Sequence, residues 1–220
     1  MQSALVIIDV DIRSGEDEAA REELIERLRH HEPDAVVPLW VNLLWERGDL
    51  RLVCLAHDLS RLDDFLVDVV RRVPGVRSTS ARLAFEGVIY PEALNEIPLQ
   101  AAAWTQRSAA AVFVKSEPGR DRSIYQALLD LPPHPQVRVV WVLQLFHSPQ
   151  ADMKLLLTSD NFSALTGYVM SWVRTIPGIL DTELVTMMDW QILGRPEDLI
   201  ALTERFAVPG AGQPREVAGP

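Results

Sequence analysis

The feature that most constrains this fold is an internal repeat. When residues 60–79 are placed over residues 163–182, the two stretches are identical at seven of twenty positions and need no gap. The identical residues include a Pro-Gly pair, at 74–75 and again at 177–178. Self-similarity at a long fixed period indicates one structural unit used twice. The chain is therefore predicted to contain two copies of one domain and a tail, at residues 1–95, 104–207 and 208–220.

Both copies have the same predicted element order, βαββαβ. Short apolar runs rich in β-branched residues predict four strands in each copy, at residues 5–12, 36–44, 50–56 and 79–85 and at 109–115, 137–146, 153–158 and 182–188. Apolar residues at helical spacing predict two helices in each copy, at residues 16–29 and 62–73 and at 121–131 and 165–176. A short final helix is predicted over 196–206, and the tail after it is rich in Pro and Gly and is expected to be disordered.

This order is that of the ferredoxin-like unit, an antiparallel four-stranded sheet with both helices on one face. The opposite sheet face would carry apolar side chains with nothing to cover them. Two copies in one chain can cover each other, so the predicted fold class is α+β, with tandem ferredoxin-like βαββαβ domains forming an intrachain dimeric α+β barrel. The tryptophans on or beside the strands are expected to fill the space between the sheets, although such rings also line ligand cavities; they are Trp40, Trp45, Trp141 and Trp190.

Charge and cysteine content exclude some classes of function. The net charge is −10, and Lys and Arg form no cluster, so we expect no direct contact with nucleic acid. The apolar runs are too short to span a bilayer, and we expect no membrane association. Cys54 is the single cysteine. It lies in an apolar strand, and a solitary thiol is typical of a reducing cytoplasm.

The segments that follow the two hairpins resemble a known domain family. The first reads Gly48-Asp49 and then LRLVCLAHDLSRLDDFLVDVVRRVPGVRSTS, and the second reads Asp152 and then MKLLLTSDNFSALTGYVMSWVRTIPGILDTE. This succession resembles the ligand-binding (effector) domain of Lrp/AsnC-type regulators, over residues 4–90 and 107–195. The resemblance implies a dimeric α+β barrel whose effectors, usually amino acids, bind near the hairpin and the sheet interfaces. We expect that family's helix-turn-helix to be absent, because the sequence opens at strand one.

The candidate ligand-binding residues lie at the hairpins. In copy one, Arg47, Gly48 and Asp49 form a candidate loop, because a carboxylate can hold an ammonium group and an arginine can pair with a carboxylate. The alternative is a solvated hairpin whose glycine supplies the required φ angle. The further candidates, in copy two, are Asp152, His147 and Trp141. The histidines have no metal-ligand spacing and no cofactor motif appears, so we expect no metal, no cofactor and no catalytic set.

Three functions remain open. The first, which the sequence favours, is a small-molecule sensor or accessory protein in transcription regulation that lacks its own DNA-binding domain. It would form homo-oligomers or co-assemble with a full-length regulator. The second is a dimeric α+β barrel enzyme of the monooxygenase, cyclase or decarboxylase type that acts on a small apolar substrate. Its first candidate residues are His147, Trp141, Asp49 and Asp152. The third is a structural assembly module with a sealed core.

Overall fold

The protein is described by a computed structural model that covers residues 3–32, 35–44, 49–95, 108–146, 148 and 150–207. Copy one contains β1 (Ala4–Ile12), α1 (Asp17–His30), β2 (Val36–Leu44), β3 (Asp49–Ala56), α2 (Leu62–Phe65), a π-helical turn (Leu66–Val70), β4 (Val76–Ile89) and α3 (Pro91–Asn95). Copy two contains β5 (Ser108–Ser116), α4 (Asp121–Leu129), β6 (Val137–Phe146), β7 (Met153–Ser159), α5 (Phe162–Tyr168), a π-helical turn (Val169–Val173), β8 (Ile179–Ile192) and α6 (Pro196–Arg205). The predicted tail lies outside the described residues.

The eight strands close into one barrel in the order β1-β3-β2-β8-β5-β7-β6-β4, and every neighbouring pair is antiparallel. The two sheets join where β2 pairs with β8 and where β4 pairs with β6. This confirms the predicted fold class, tandem ferredoxin-like units that form a dimeric α+β barrel within one chain. Because equivalent strands run in the same direction, the pseudo-twofold axis that relates the copies lies along the barrel axis.

The two joins depend on strands that are longer than the sequence predicts. Strands β4 and β8 have 14 residues each, whereas the alternation of apolar residues predicts half of that. The first part of β4 pairs with β1, and the part beyond Leu83 pairs with β6 of the other copy. Gly87 makes this second pairing tight, since a Cβ there would lie 2.8 Å from the Val142 carbonyl oxygen. A glycine inside a strand often marks such a close approach.

Successive strand residues point alternately into the barrel and towards the helices. On β1, Leu5 and Ile7 belong to the core inside the barrel, whereas Val6 and Ile8 pack under α1 and α2. The helices α4 and α5 cover the second sheet in the same way. Strand alternation thus separates one shared interior from two outer helix layers. No helix within the described ranges is long and apolar enough to cross a membrane.

The second helix of each copy ends in the same way, with a π-helical turn followed by a Pro-Gly pair. The apolar stripe predicts one regular helix, but the structure has an α-helical turn followed by a π-helical one. Backbone hydrogen bonds define these wider turns, from Arg71 N to Leu66 O at 2.8 Å and from Arg174 N to Val169 O at 2.9 Å. The Pro-Gly pair follows, and its glycine has a φ of +88° in copy one and +95° in copy two. Glycine adopts such angles without strain.

Candidate functional site

A layer of three tryptophans divides the interior of the barrel. Trp40 on β2 and Trp141 on β6 occupy equivalent positions, since each follows a bulge and faces the matching residue of the next strand. Their rings stack with centroids 5.4 Å apart, and Trp190 stacks on Trp40 at 5.9 Å. All three are at most 3% exposed. This tryptophan layer lies between an apolar pocket at one end of the barrel and a polar chamber at the other. Trp45 lies outside the described residues.

The apolar pocket lies at the helix end, where α3 and α6 follow β4 and β8. Its volume is about 510 Å³, within the usual size range of small-molecule sites. No titratable side chain occurs among its described lining residues, which include Trp40, Leu94, Trp190, Ile192, Leu199 and Ile200. The pocket can therefore hold an apolar ring system, but its described walls supply no acid or base.

Helix α6, the outer wall of this pocket, belongs to copy two but is anchored to copy one. The Ile89 backbone N–H donates to Phe206 O at 2.9 Å, and Arg205 donates to the Phe85 carbonyl at 2.7 Å. At its other end, the Asp198 carboxylate accepts hydrogen bonds from the Arg195 backbone N–H at 2.9 Å and from the Arg195 guanidinium at 3.2 Å, and Pro196 occupies the first turn. Because both ends are fixed, the helix is a defined wall of the pocket.

The polar chamber lies at the hairpin end, above the tryptophan layer. Arg51 on β3 donates to Asp9 on β1 at 2.7 Å, and Arg82 on β4 also pairs with Asp9. Arg82 donates in addition to Gln150 Oε1 at 2.6 Å. Burial alone would raise the pKa of Asp9, but the charges and hydrogen bonds of the two arginines outweigh it and lower that pKa to about 2. The carboxylate is therefore ionised in the folded protein.

Lys154 on β7 is the counterpart of Arg51, but no carboxylate of the described residues forms an ion pair or hydrogen bond with it. Asp9 faces Arg51 across β1 and β3, whereas Phe113 faces Lys154 across β5 and β7. The Lys154 ammonium nitrogen lies 5.5 Å from the Phe113 ring centroid and 5.6 Å from that of Trp141. Within the described ranges it has no hydrogen-bond partner. Complete burial, with Arg51 and Arg82 nearby, holds the pKa of Lys154 well below its ordinary value, although Asp9 opposes this.

The structure gives the predicted aspartates a role in tying strands together. Asp49 accepts a hydrogen bond from Ile12 N at 3.3 Å, and Asp152 accepts the equivalent one from Ser116 N at 2.8 Å. Asp152 also accepts from Lys115 at 2.9 Å. Burial would raise the pKa of Asp152, but these hydrogen bonds lower it. Of the other candidates, Trp141 lies in the tryptophan layer, while Arg47, Gly48 and His147 lie outside the described residues.

The charged residues of the chamber were not predicted from the sequence. Asp9, Arg51 and Lys154 each interrupt an apolar strand at an inward-facing position. Charged residues are almost never fully buried unless they are paired, so this placement was the available signal. The lone thiol has no such role: Cys54 points towards the helices, and burial raises its pKa. Within the described part of the chain, no group of three or more His, Cys, Asp or Glu could hold a metal ion.

No protein-family model matches this sequence, and no curated protein sequence matches it. Several solved structures share its fold. An anthrone oxidase-like protein has a TM-score of 0.60 at 12% identity, covering 89% of this chain and 95% of its own. A monooxygenase candidate from Lactobacillus acidophilus NCFM has a TM-score of 0.57 at 9% identity, covering 88% and 98%. A chlorite dismutase from Candidatus Nitrospira defluvii has a TM-score of 0.53 at 13% identity, covering 94% and 95%.

These neighbours correct the family resemblance inferred from the sequence. They are dimeric α+β barrels of the monooxygenase, anthrone oxidase-like and chlorite dismutase kinds, not Lrp/AsnC effector domains. The apolar stripe and the Pro-Gly pair that suggested the Lrp/AsnC family have a structural explanation here, since the stripe packs the second helix on the sheet and the pair follows the end of that helix. Such a pattern identifies a fold and leaves its function open. The prediction of a role in transcription regulation loses its basis with the resemblance.

Proposed function

We propose that the protein is an enzyme of the dimeric α+β barrel class that acts on a small apolar ring compound bound in the apolar pocket. The observation that carries this proposal is a cavity of about 510 Å³ with Trp40 and Trp190 in its wall and helix α6 across its outer side. A pocket that is largely apolar, preformed and bounded by aromatic rings is the usual form of a small-molecule site. A sealed structural module would have no such cavity.

The lining of the pocket favours oxidation over the other reaction types open to this fold. A decarboxylase would need a cation to hold the substrate carboxylate, and a cyclase would need an acid or base. The described lining residues provide neither. A substrate ring that is itself electron-rich can react with dioxygen when the protein orients it and excludes water. Two of the structural neighbours bear the names of an oxidase-like protein and a monooxygenase candidate.

Anthrone is a suitable probe for this activity, because one of the neighbours is described as anthrone oxidase-like. In the overall reaction, anthrone and dioxygen give anthraquinone and water, so the ring carbon is oxidised and dioxygen is the acceptor. The protein is incubated with anthrone in aerated and in anaerobic buffer, and anthraquinone is measured by absorbance together with oxygen uptake. We expect turnover above the uncatalysed rate in aerated buffer and none without oxygen.

Two substitutions on α6 test whether the reaction takes place in this pocket. Thr203 lines the pocket, whereas its neighbour Glu204 is exposed. Thr203→Trp fills the cavity and should abolish both anthrone binding, measured by quenching of tryptophan fluorescence, and turnover. Glu204→Trp adds the same side chain outside the pocket and should retain both. Equal activity in the two variants, or no binding of anthrone to the unchanged protein, would contradict the proposal.

A further inference from the structure

The polar chamber takes no part in the proposed oxidation, and it brings three basic side chains together. The guanidinium groups of Arg51 and Arg82 lie 5.0 Å and 5.3 Å from the centroid of the Phe113 ring, and the Lys154 amine lies 5.5 Å from it. All three residues are at most 9% exposed. The carboxylate among them, Asp9, already pairs with both arginines. Buried charges are costly unless they are compensated.

The chamber also contains buried donors that the chain does not satisfy. Within the described ranges, Arg82 Nε, Lys154 Nζ and the side-chain amide of Asn42 have no hydrogen-bond partner. Asn42 faces Arg51 across β2 and β3, so it belongs to the same level of the barrel. Buried polar atoms are paired in the great majority of cases. Two unpaired donors beside the Phe113 ring, on Arg82 and Lys154, therefore indicate that the chamber is built to hold an acceptor.

A small cavity provides the space for that acceptor. Its volume is about 80 Å³, and it is lined by Asp9, Arg51, Arg82, Phe113 and Gln150, with the exposed carboxylate of Glu183 also in its lining. Arg82, with its unpaired Nε–H, thus faces a space that a few heavy atoms can fill. Guanidinium groups match the planar two-oxygen geometry of a carboxylate, and the Phe113 ring offers an apolar surface to the rest of the ligand.

We propose that this chamber is a second site, which binds a small carboxylate anion of the size of formate or acetate against Arg51 and Arg82, with the Lys154 amine beside the same Phe113 ring. The site lies on the opposite side of the tryptophan layer from the apolar pocket, so it does not rest on the proposed oxidation. A bound anion acts on Lys154 in the same direction as Asp9, which favours the charged amine. Anion binding and lysine protonation are therefore linked.

The chain offers a direct spectroscopic test, because Lys115 and Lys154 are its two lysines. With ¹³C-labelled lysine, the ε-carbon shift of each side chain is followed against pH in sodium formate and in sodium chloride of equal ionic strength. We expect formate to raise the Lys154 transition by about one pH unit, which is a tenfold change in proton affinity. The half-exposed Lys115 should not respond. Formate and acetate should also raise Tm in a saturating manner, and neutral formamide should not.

Two variants should change the affinity for formate in opposite directions, and a third should leave it unchanged. Lys154→Met removes the amine with little change in volume and should weaken formate binding about tenfold. Asp9→Asn removes the competing carboxylate, so it should tighten formate binding about tenfold and make the lower Tm of this variant recoverable with formate. Asp11→Asn is the matched control, since Asp11 lies two residues further along β1 and pairs with Arg77 at the surface; its formate affinity should be unchanged.

Several results would overturn this inference. One is a formate effect no larger than that of chloride. Another is an unchanged Lys154 transition at formate concentrations that do raise Tm. Binding of sulfate but not of formate would assign the chamber to a different class of anion and would equally contradict the proposal. None of these measurements uses anthrone turnover, so the failure of this site and the failure of the proposed oxidation are distinguishable.

Discussion

The inner faces of copy one and copy two carry different residues at matching positions. Where copy one has the ion pair of Asp9 and Arg51, copy two has Phe113 and Lys154. The position of Arg82 on β4 corresponds to that of Val185 on β8. The helix layers, in contrast, keep the same π-helical turn and the same Pro-Gly ending.

This contrast shows which part of a repeated fold can diverge. Each helix layer packs mainly on its own sheet and has few contacts with the other copy, such as that of Arg21 with the Asp189 carbonyl, so a change there has little in the other copy to compensate it. The barrel interior is shared, and a residue of one copy can serve a residue of the other, as Gln150 of copy two does for Arg82 of copy one. Polar function can therefore be concentrated in one half while the second half supplies aromatic surface.

The largest expected effect on the free energy of unfolding concerns the tryptophan layer. Both copies have a tryptophan at the same position, but the two rings do not make the same stacking contacts. Trp40 stacks on both Trp141 and Trp190, whereas Trp141 stacks on Trp40. Trp40→Ala and Trp141→Ala should each lower the free energy of unfolding by about 3–5 kcal/mol, and the loss at Trp40 should be larger by about 1 kcal/mol because it removes two stacks.

Urea unfolding followed by circular dichroism measures these losses. Trp172, which is 46% exposed, provides the control, and its replacement by Ala should change the free energy of unfolding by about 0.5 kcal/mol at most. If Trp141→Ala were the more damaging substitution, the stacking geometry would not explain the stability of the layer.

The next prediction is that substitution by methionine changes the free energy of unfolding in opposite directions at two equivalent positions. Arg51→Met removes a partner from the buried Asp9 and should destabilise the fold by about 3 kcal/mol. Lys154→Met replaces an amine without a described partner by an apolar chain of similar size and should stabilise it by about 1 kcal/mol. The same sign at both positions would contradict the assignment of Arg51 as a paired guanidinium and of Lys154 as an amine without a partner among the described residues.

The pH dependence of stability checks the second of these substitutions. The pKa of Lys154 is lowered in the folded state, so above that lowered value the unfolded chain binds the extra proton. Stability should therefore rise with pH from neutral towards the ordinary lysine pKa of about 10.4. In Lys154→Met this rise should be smaller, as measured by urea midpoints at pH 7 and pH 9.

The sequence predicts the order of the elements from local periodicity, and the repeat together with the uncovered apolar sheet faces predicts that the two copies form one barrel. The alternation Leu5, Ile7 against Val6, Ile8 already separates an inner from an outer face. It does not predict the length of β4, where Gly87 looks like the end of a strand but instead permits the close approach to β6. That contact lies between the copies and has no local signature.

The sequence does not predict the residues of the polar chamber either, because they meet only through pairing between distant strands. Asp9, Arg51 and Arg82 come from three strands, and they meet only once the register of β1 with β3 and β4 is fixed. A register shift of one residue would turn each of them outward. The hairpin aspartates are candidates because a carboxylate can hold an ammonium group, and the structure shows that each also connects two strands, from Asp49 to Ile12 and from Asp152 to Ser116.

A smaller effect should separate these two aspartates. Asp152 accepts hydrogen bonds from the backbone and side chain of Ser116 and from Lys115, so Asp152→Ala should cost about 2 kcal/mol. Asp49 accepts a longer bond from Ile12 and also interacts electrostatically with Arg77, and Asp49→Ala should cost about 1 kcal/mol. Because the pKa of Asp152 is lowered on folding, its contribution is complete above about pH 4 and is lost as pH falls through the lowered value.

Acid titration of the urea midpoint between pH 6 and pH 3 measures this contribution. The curve of the unchanged protein should approach that of Asp152→Ala as the carboxyl group gains its proton. A constant difference between the two curves over this range would show that the charge of Asp152 does not matter.

The smallest expected effect is a difference in stability between alanine variants at two glycines, which separates the cost of backbone strain from the cost of crowding. Gly15 and Gly75 have nearly equal φ angles, +85° and +88°, so replacement by Ala should cost about 1–2 kcal/mol at either position. A Cβ at Gly15 meets nothing within 4 Å, whereas one at Gly75 would lie 2.7 Å from Glu16 Oε2 and 3.2 Å from its Cβ. The Glu16 side chain can move, so crowding should add only about 0.5 kcal/mol for Gly75→Ala.

Copy two provides an independent repeat of this measurement. Gly119 has the open surroundings of Gly15, and a Cβ at Gly178 would lie 3.2 Å from Arg120 Cδ and 3.3 Å from Ile124 Cδ1. Thermal unfolding of the four Ala variants should therefore give two pairs with similar differences. A difference confined to copy one would mean that the two helix layers are less alike in energy than in geometry, and the interior would then not be the principal place where the copies have diverged.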